Sequence, residues 1–255
     1  MAGAQGGPGI PVEAGRGRRA QRLRNGLLEV ADSRDRAGHG ARGRTGVSSR
    51  PRGEVTRERI LRRAEQLFAR HGVEGVTLRQ IARAARQRNV AAVQYHFGGK
   101  QELLDAILGV HLDGIDRRRR ELLDAHERMG EMEDIDALLS VLVDPLVEKL
   151  DEPSGRAYLR IQAGRPGADP MRPATRTMAN RFGRAFGLGP GHALAGRFAV
   201  LLLFGALADR AEAETSRDPE IADRDHFVEL LKAAIRGIYN EAGAVGPARS
   251  RRLAG

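Results

Sequence analysis

Apolar residues recur along most of this chain at intervals of three and four, the spacing of one face of an α-helix. No stretch alternates apolar and polar in the manner of a strand, so the pattern predicts an all-α protein. Ile60, Leu61, Ala64, Leu67 and Phe68 trace the first face, with Thr56 as candidate N-cap and Gly72 as the left-handed residue that ends the helix. Thr77 opens a second helix: Gln80 completes a capping box, and Val76 and Ile81 stand where a hydrophobic staple belongs. Ile81, Ala82 and Ala85 are slim enough to let a third helix cross closely. Asn89 is the candidate cap of that third helix, residues 90–96, whose face is Ala91, Ala92, Gln94 and Tyr95.

Residues 100–128 read as one long helix with Leu103, Leu104, Ile107, Leu108, Ile115, Leu122 and Leu123 as its buried stripe. The charge run at residues 117–120 is expected on its solvated face, and His111 beside Asp113 and Asp116 reads as surface chemistry of the same kind. Residues 135–150 form an apolar helix that Pro145 should kink or split, stopped by Asp151, Glu152 and Pro153. Ser154 is the candidate cap of the next helix, whose face is Tyr158, Leu159 and Ile161. A loop over 164–169, a helix over 171–186 and a turn over 187–191 follow. Tyr158, Arg160 and Arg165 lie in this part of the chain, and their spacing specifies no ligand chemistry.

Two helices close the chain. Residues 192–215 align Leu194, Phe198, Leu201, Leu202, Gly205 and Ala208; residues 225–241 align Phe227, Leu230, Leu231, Ala234 and Ile238. The first is apolar nearly all round its middle, which calls for cover on more than one side. Within a body of residues 102–243, that cover is either internal core or a second copy of the chain, and Ala195, Gly205 and Ala206 would let backbones approach.

Charge changes the picture once it is located. Residues 1–53 hold eleven Arg against four acids, and residues 54–100 hold nine Arg and one Lys against four Glu. Residues 101–255 hold 22 basic and 25 acidic groups, so a basic head precedes a mildly acidic body within a chain of net charge +10. That asymmetry suits a phosphate-facing head on a body that does not itself stick to DNA. Residues 1–53 also carry twelve Gly and almost no apolar periodicity, and are expected to be a disordered arm, either a basic tail for phosphate or an inert extension. A short disordered tail is expected over 244–255.

The absence of Cys excludes a disulfide framework, Cys-ligated zinc and thiol catalysis. The longest strongly apolar run, residues 198–208, is well short of the ~20 residues of a membrane span. No leader pattern opens the chain, so a cytoplasmic, nucleoid-associated protein is expected. The seven His show no metal spacing on a shared face, and no nucleophile elbow or phosphate-binding Gly loop is present. No enzyme activity, cofactor or metal is therefore expected.

Two helices joined by a tight turn, the second short and polar-faced, form the helix-turn-helix plan for the DNA major groove. The text ILRRAEQLFARHGVEGVT, then LRQIA, then VQYHFGGKQELL resembles the N-terminal domain of the tetracycline-repressor (TetR) family. Some fifty residues are covered, and the departures are Arg86, where a turn Gly is usual, and one extra residue between Ile81 and Phe97. They leave two registers open between Arg86 and Val90.

The resemblance implies a helix-turn-helix DNA-binding domain over 54–101 and a helical ligand-binding and dimerisation domain over 102–243. It implies a homodimer through 192–215 and 225–241, and a repressor released from a palindromic operator by an unidentified small molecule. Tyr95, His96 and Lys100 match positions that grip the DNA backbone. Thr77 offers a hydroxyl and free N–H groups to phosphate. Arg79 and Arg88 would reach guanine or phosphate, Gln94 adenine, and Ala91 or Ala92 a thymine methyl, with Asn89 in the uncertain turn. The rival reading is an architectural, sequence-indifferent DNA protein that relies on the arm.

Overall fold

The computed structural model describes residues 52–131, 133–165, 167, 171–187, 193–216 and 223–245, all within the unit Arg50–Gly255. Most of the expected arm and tail (1–51 and 246–255) lies outside these residues, as do positions 166 and 168–170 of the predicted loop and 188–192 around the predicted turn. The described residues hold α-helices α1 (Arg52–His71), α2 (Leu78–Ala84), α3 (Ala91–Phe97), α4 (Lys100–Arg128) and α5 (Ile135–Val147). After a 3₁₀ turn (Glu148–Asp151) come α6 (Pro153–Ala163), α7 (Pro173–Ala185), α8 (Ala193–Ser216) and α9 (Arg224–Val245).

Helix α1 begins at Arg52, so Thr56 lies inside it and is not its cap. The acidic Glu54 in the first turn suits a helix start there. Ile60, Ala64 and Phe68 are buried as expected, while Leu61 and Leu67 are half-buried at the edge of the stripe. Gly72 has φ 71°, the left-handed turn that the sequence calls for.

Helix α4 has 29 residues and so runs about 43 Å, joining α1–α3 to the remaining helices. Its predicted stripe is buried throughout. The residues expected at its surface are not all there. Arg119 is 7% exposed, donating to the carbonyls of Val141 and Leu142 and to Thr175 Oγ1. Asp116 is buried too, its Oδ1 accepting from the N–H groups of Ala174 and Thr175 at the start of α7. Charge in a sequence reads as solvated, but here neighbouring helices offer backbone groups that need a partner.

The Arg119 contact has a local cause. Pro145 lies inside α5 and has no N–H, so the Val141 carbonyl one turn earlier lacks its helical donor. Arg119 Nε, 3.4 Å away, supplies it. The helix consequently runs two residues beyond Pro145, then tightens into the 3₁₀ turn instead of continuing to residue 150. Burial pushes the Arg119 guanidinium down to about 10, with Tyr158 and Asp116 acting in the opposite direction.

Ser154 does not cap α6. Glu152 holds that position without a side-chain bond, and Pro153 occupies the first turn. The Ser154 hydroxyl instead donates to Glu65 Oε2 at 2.7 Å, and His111 Nε2 lies 2.8 Å from Glu65 Oε1. Glu65 on α1 is 3% exposed, so this trio is a buried polar tie among α1, α4 and α6. The His111 ring stacks on Tyr158, with centroids 4.7 Å apart. His111 is thus a buried structural group rather than part of a surface cluster.

Helix α6 packs against α1 and α8, and α8 against α9. On α8 the side turned inward is Ala195, Ala199, Leu203, Leu207 and Ala211. Leu194, Phe198 and Leu201 face outward, and Leu202 and Ala208 are half-buried. On α9, Val228, Leu231 and Ile235 are buried, whereas Leu230 is 58% exposed. An ion network joins Arg210 and Glu214 of α8 to Arg224 of α9, which also reaches Asp151. Among the described residues no helix is long and apolar enough to cross a membrane.

Candidate nucleic-acid interface

Helix α2 is only seven residues long, so its ends decide whether it forms. The capping box is made as predicted: Thr77 Oγ1 accepts from the Gln80 N–H at 3.3 Å, and the Thr77 N–H donates to Gln80 Oε1 at 2.8 Å. Val76, Ile81, Ala82 and Ala85 are all buried, which seats α2 against α1 and leaves Thr77 and Arg79 on the outside.

The turn to α3 resolves the open register. Arg86 has φ 54°, the left-handed conformation that glycine adopts without cost. The Arg86 N–H reaches the Arg83 carbonyl at 3.0 Å and the Gln87 N–H reaches the Ala82 carbonyl at 2.8 Å, the two bonds of a Schellman stop. Helix α3 then starts at Ala91, with Val90 in the cap position and no side-chain cap bond. Asn89 is therefore not the cap; it is an exposed residue of the turn beside exposed Arg88.

Val93 and Phe97, one turn apart, are the buried face of α3. Its opposite side presents Ala91, Gln94 and Tyr95, with Ala92 and His96 half-buried at the edges. Tyr95 is 86% exposed, with its ring edge-on to His96 at 5.2 Å. An aromatic ring of that size left in water on a helix otherwise seated by Val93 and Phe97 is available to a partner. Phe97 belongs to the core of this unit, and the guanidinium of Arg57 lies over its ring at 4.9 Å.

Gly98 has φ 87° and turns the chain into α4, whose N-cap, Gly99, makes no side-chain bond. Lys100 Nζ sits 3.4 Å from the Glu74 carbonyl and 3.9 Å from its carboxylate. Lys100 is held beside the α1–α2 connection, at the edge of the surface that carries Thr77.

The residues brought together on this surface of α2, the turn and α3 carry side chains of two kinds. Thr77 and Tyr95 bring hydroxyls, His96 a ring nitrogen, and Arg79, Arg88 and, from the start of α4, Lys100 bring cationic donors, groups of the sort that hold phosphate; Ala91, Ala92 and Gln94 bring short groups sized for base edges. Sequence reasoning passed over Arg83 and Arg86, both exposed on the same two elements. Their signal was the basic excess of residues 54–100.

Comparison with known proteins points the same way. Residues 60–107 match the family model of bacterial regulatory proteins, tetR family. A stretch of 55 residues is 47% identical to the HTH-type transcriptional regulator SrpR of Pseudomonas putida, covering 22% of this chain and 25% of that one. The match thus spans about a quarter of the curated relative's length. Among solved structures, SCO4454, a TetR-family transcriptional regulator from Streptomyces coelicolor, aligns at 24% identity over 74% of this chain and 97% of that chain, with a TM-score of 0.41. NalD, the secondary repressor of the MexAB-OprM multidrug efflux pump in Pseudomonas aeruginosa, aligns at 23% identity over 72% and 95%, with a TM-score of 0.43. The matched segment runs from the core of α1, through the capped α2 and the exposed α3, into α4, so the likeness to the tetR family of bacterial regulatory proteins lies in this stretch of the chain.

Proposed function

We propose that this chain is a sequence-specific DNA-binding transcriptional regulator that acts as a homodimeric repressor on a palindromic operator. The observation that carries the proposal is the face of α3: Ala91, Gln94 and Tyr95 are exposed while Val93 and Phe97 hold the helix to its own unit. In this reading Thr77, Tyr95, His96 and Lys100 take phosphates and set the register, and Gln94 and Ala91 read bases. Arg79 and Arg88 add phosphate or guanine contacts beside them.

Dimerisation is supported by Leu194, Phe198 and Leu201 of α8 and Leu230 of α9, large apolar side chains left in solvent on adjacent helices. A two-fold pair of heads would meet half-sites about one helical turn, ~34 Å, apart. A small molecule that favours another angle of α4 would release the operator, and a preference of a few kcal/mol suffices.

The test is selection of bound fragments from random duplex DNA by the purified full chain, at physiological salt and with excess non-specific competitor. An enriched palindrome is the expected result. Binding that disappears under competitor, or that depends wholly on residues 1–53, would refute specific readout.

A further inference from the structure

A groove of about 410 Å³ separates part of α1 from the start of α6. Arg62 and Arg70 line the α1 side, two turns apart on one face, and Arg156 and Arg160 line the α6 side one turn apart. Guanidinium groups therefore line both walls; Arg156 donates to the Leu150 carbonyl and Arg160 is ion-paired, which leaves Arg62 and Arg70 as the two open to an anion. Two acids share the lining, Glu65 and Glu152, and Glu152 is exposed at the start of α6. Glu65 accepts from Ser154 and is joined to His111, and Glu212 pairs with Arg160. Arg62 and Arg70 are exposed and pair with no acid among the described residues. The start of α6, where Glu152 makes no side-chain cap bond, adds potential of the same sign.

We propose that this groove binds a small multivalent anion of the polycarboxylate or phosphate class. Guanidinium groups suit both, because their paired N–H donors match carboxylate and phosphate oxygens. The volume falls within the range of small-molecule sites, and the apolar side chains of Ala69 and Ala157 leave room for a short carbon skeleton. The site is distinct from the DNA-facing surface of α2 and α3. Its floor includes Glu65 and Ser154, two members of the tie that joins α1 to α6, so an occupant would sit against the contact that fixes these two helices together.

The test is isothermal titration of the full chain with citrate and, separately, inorganic pyrophosphate, without DNA and at fixed ionic strength. Two double variants remove the same charge: R62A/R70A empties one wall, and R117A/R197A removes exposed arginines elsewhere. The expected result is saturable binding of at least one probe that weakens about tenfold or more in R62A/R70A and stays within about twofold in R117A/R197A. Preference between the probes identifies the carboxylate or the phosphate source. Equal weakening in both variants would reduce the effect to net charge and overturn the site, as would unchanged binding in R62A/R70A or no saturable binding to the wild type. Binding is read without DNA, so failure here is told apart from failure of operator recognition.

Discussion

Replacing Arg119 by Met tests whether a side chain of α4 stands in for the N–H that Pro145 lacks. The change removes donors to Val141, Leu142 and Thr175. Hydrogen bonds from a charged group are worth about 1.5–3 kcal/mol each, so three amount to roughly 4–9 kcal/mol. Against this, removing the buried guanidinium relieves its desolvation. Its pKa, held well below the usual guanidinium value at about 10, corresponds to roughly 3 kcal/mol. The expected net destabilisation of Arg119→Met is therefore about 3 kcal/mol, since an apolar side chain of similar length fills the space but leaves the Val141 carbonyl without a donor.

Pro145→Ala is the informative partner. It restores an N–H one turn after Val141, and alone it should lie within about 1 kcal/mol of wild type, because Arg119 loses only its longest contact. In the double variant the new N–H satisfies the carbonyl that Arg119→Met left bare, so its destabilisation should fall short of the sum of the single changes by about 1–2 kcal/mol. Urea denaturation of the four proteins at one matched chain concentration measures this coupling. Additivity within about 0.5 kcal/mol would refute the substitution of guanidinium for backbone donor.

Arg86→Gly should stabilise the protein by about 1 kcal/mol, seen as a raised melting temperature, because a left-handed residue that costs Arg is free for Gly. Thr77→Ala removes one half of the capping box of a seven-residue helix and should cost about 1 kcal/mol, measured by the same denaturation. Burial raises the pKa of Glu214, but its hydrogen bonds to Arg224 and Arg210 outweigh this and hold the carboxyl below the usual carboxylate range. The unfolded group therefore takes up its proton first as pH falls: the stabilisation is complete above about pH 4.3 and is lost as pH drops through the lower folded value. Glu214→Gln should accordingly flatten the acid limb of a stability-versus-pH curve, and an unchanged limb would contradict the assignment. On the selected operator, Lys100→Ala should weaken binding to all duplexes alike and lower the salt slope by about 1, whereas Gln94→Ala should relax preference at one base pair at a cost of about 1–3 kcal/mol, both read by fluorescence anisotropy.

What the chain order alone determined is what depends on neighbours in sequence. Apolar spacing gave α1, α4, α5, α8 and α9, because burying one face of a helix requires apolar residues every third or fourth position, and end signals gave α2. The box at Thr77 and Gln80 and the turn at Gly72 were legible for the same reason: each is closed within four residues. The exposed face of α3 was readable in part, since small Ala91 and polar Gln94 bring little to a core, whereas the exposure of the Tyr95 ring came only with the structure.

Only the tertiary structure decided which polar residues go inside. Glu65, His111, Asp116 and Arg119 carry charge or polar nitrogen and look solvated in any local window. They are buried because distant positions present matching needs: Ser154 to Glu65, the start of α7 to Asp116, and the carbonyl bared by Pro145 to Arg119. Likewise Asn89 has the chemistry of a cap, yet the left-handed Arg86 and the bond from Gln87 to Ala82 start α3 one residue later than the sequence suggests. Local sequence sets what a segment prefers. A polar group in the interior is kept by a partner that folding brings from dozens of residues away, and no local pattern encodes that partner.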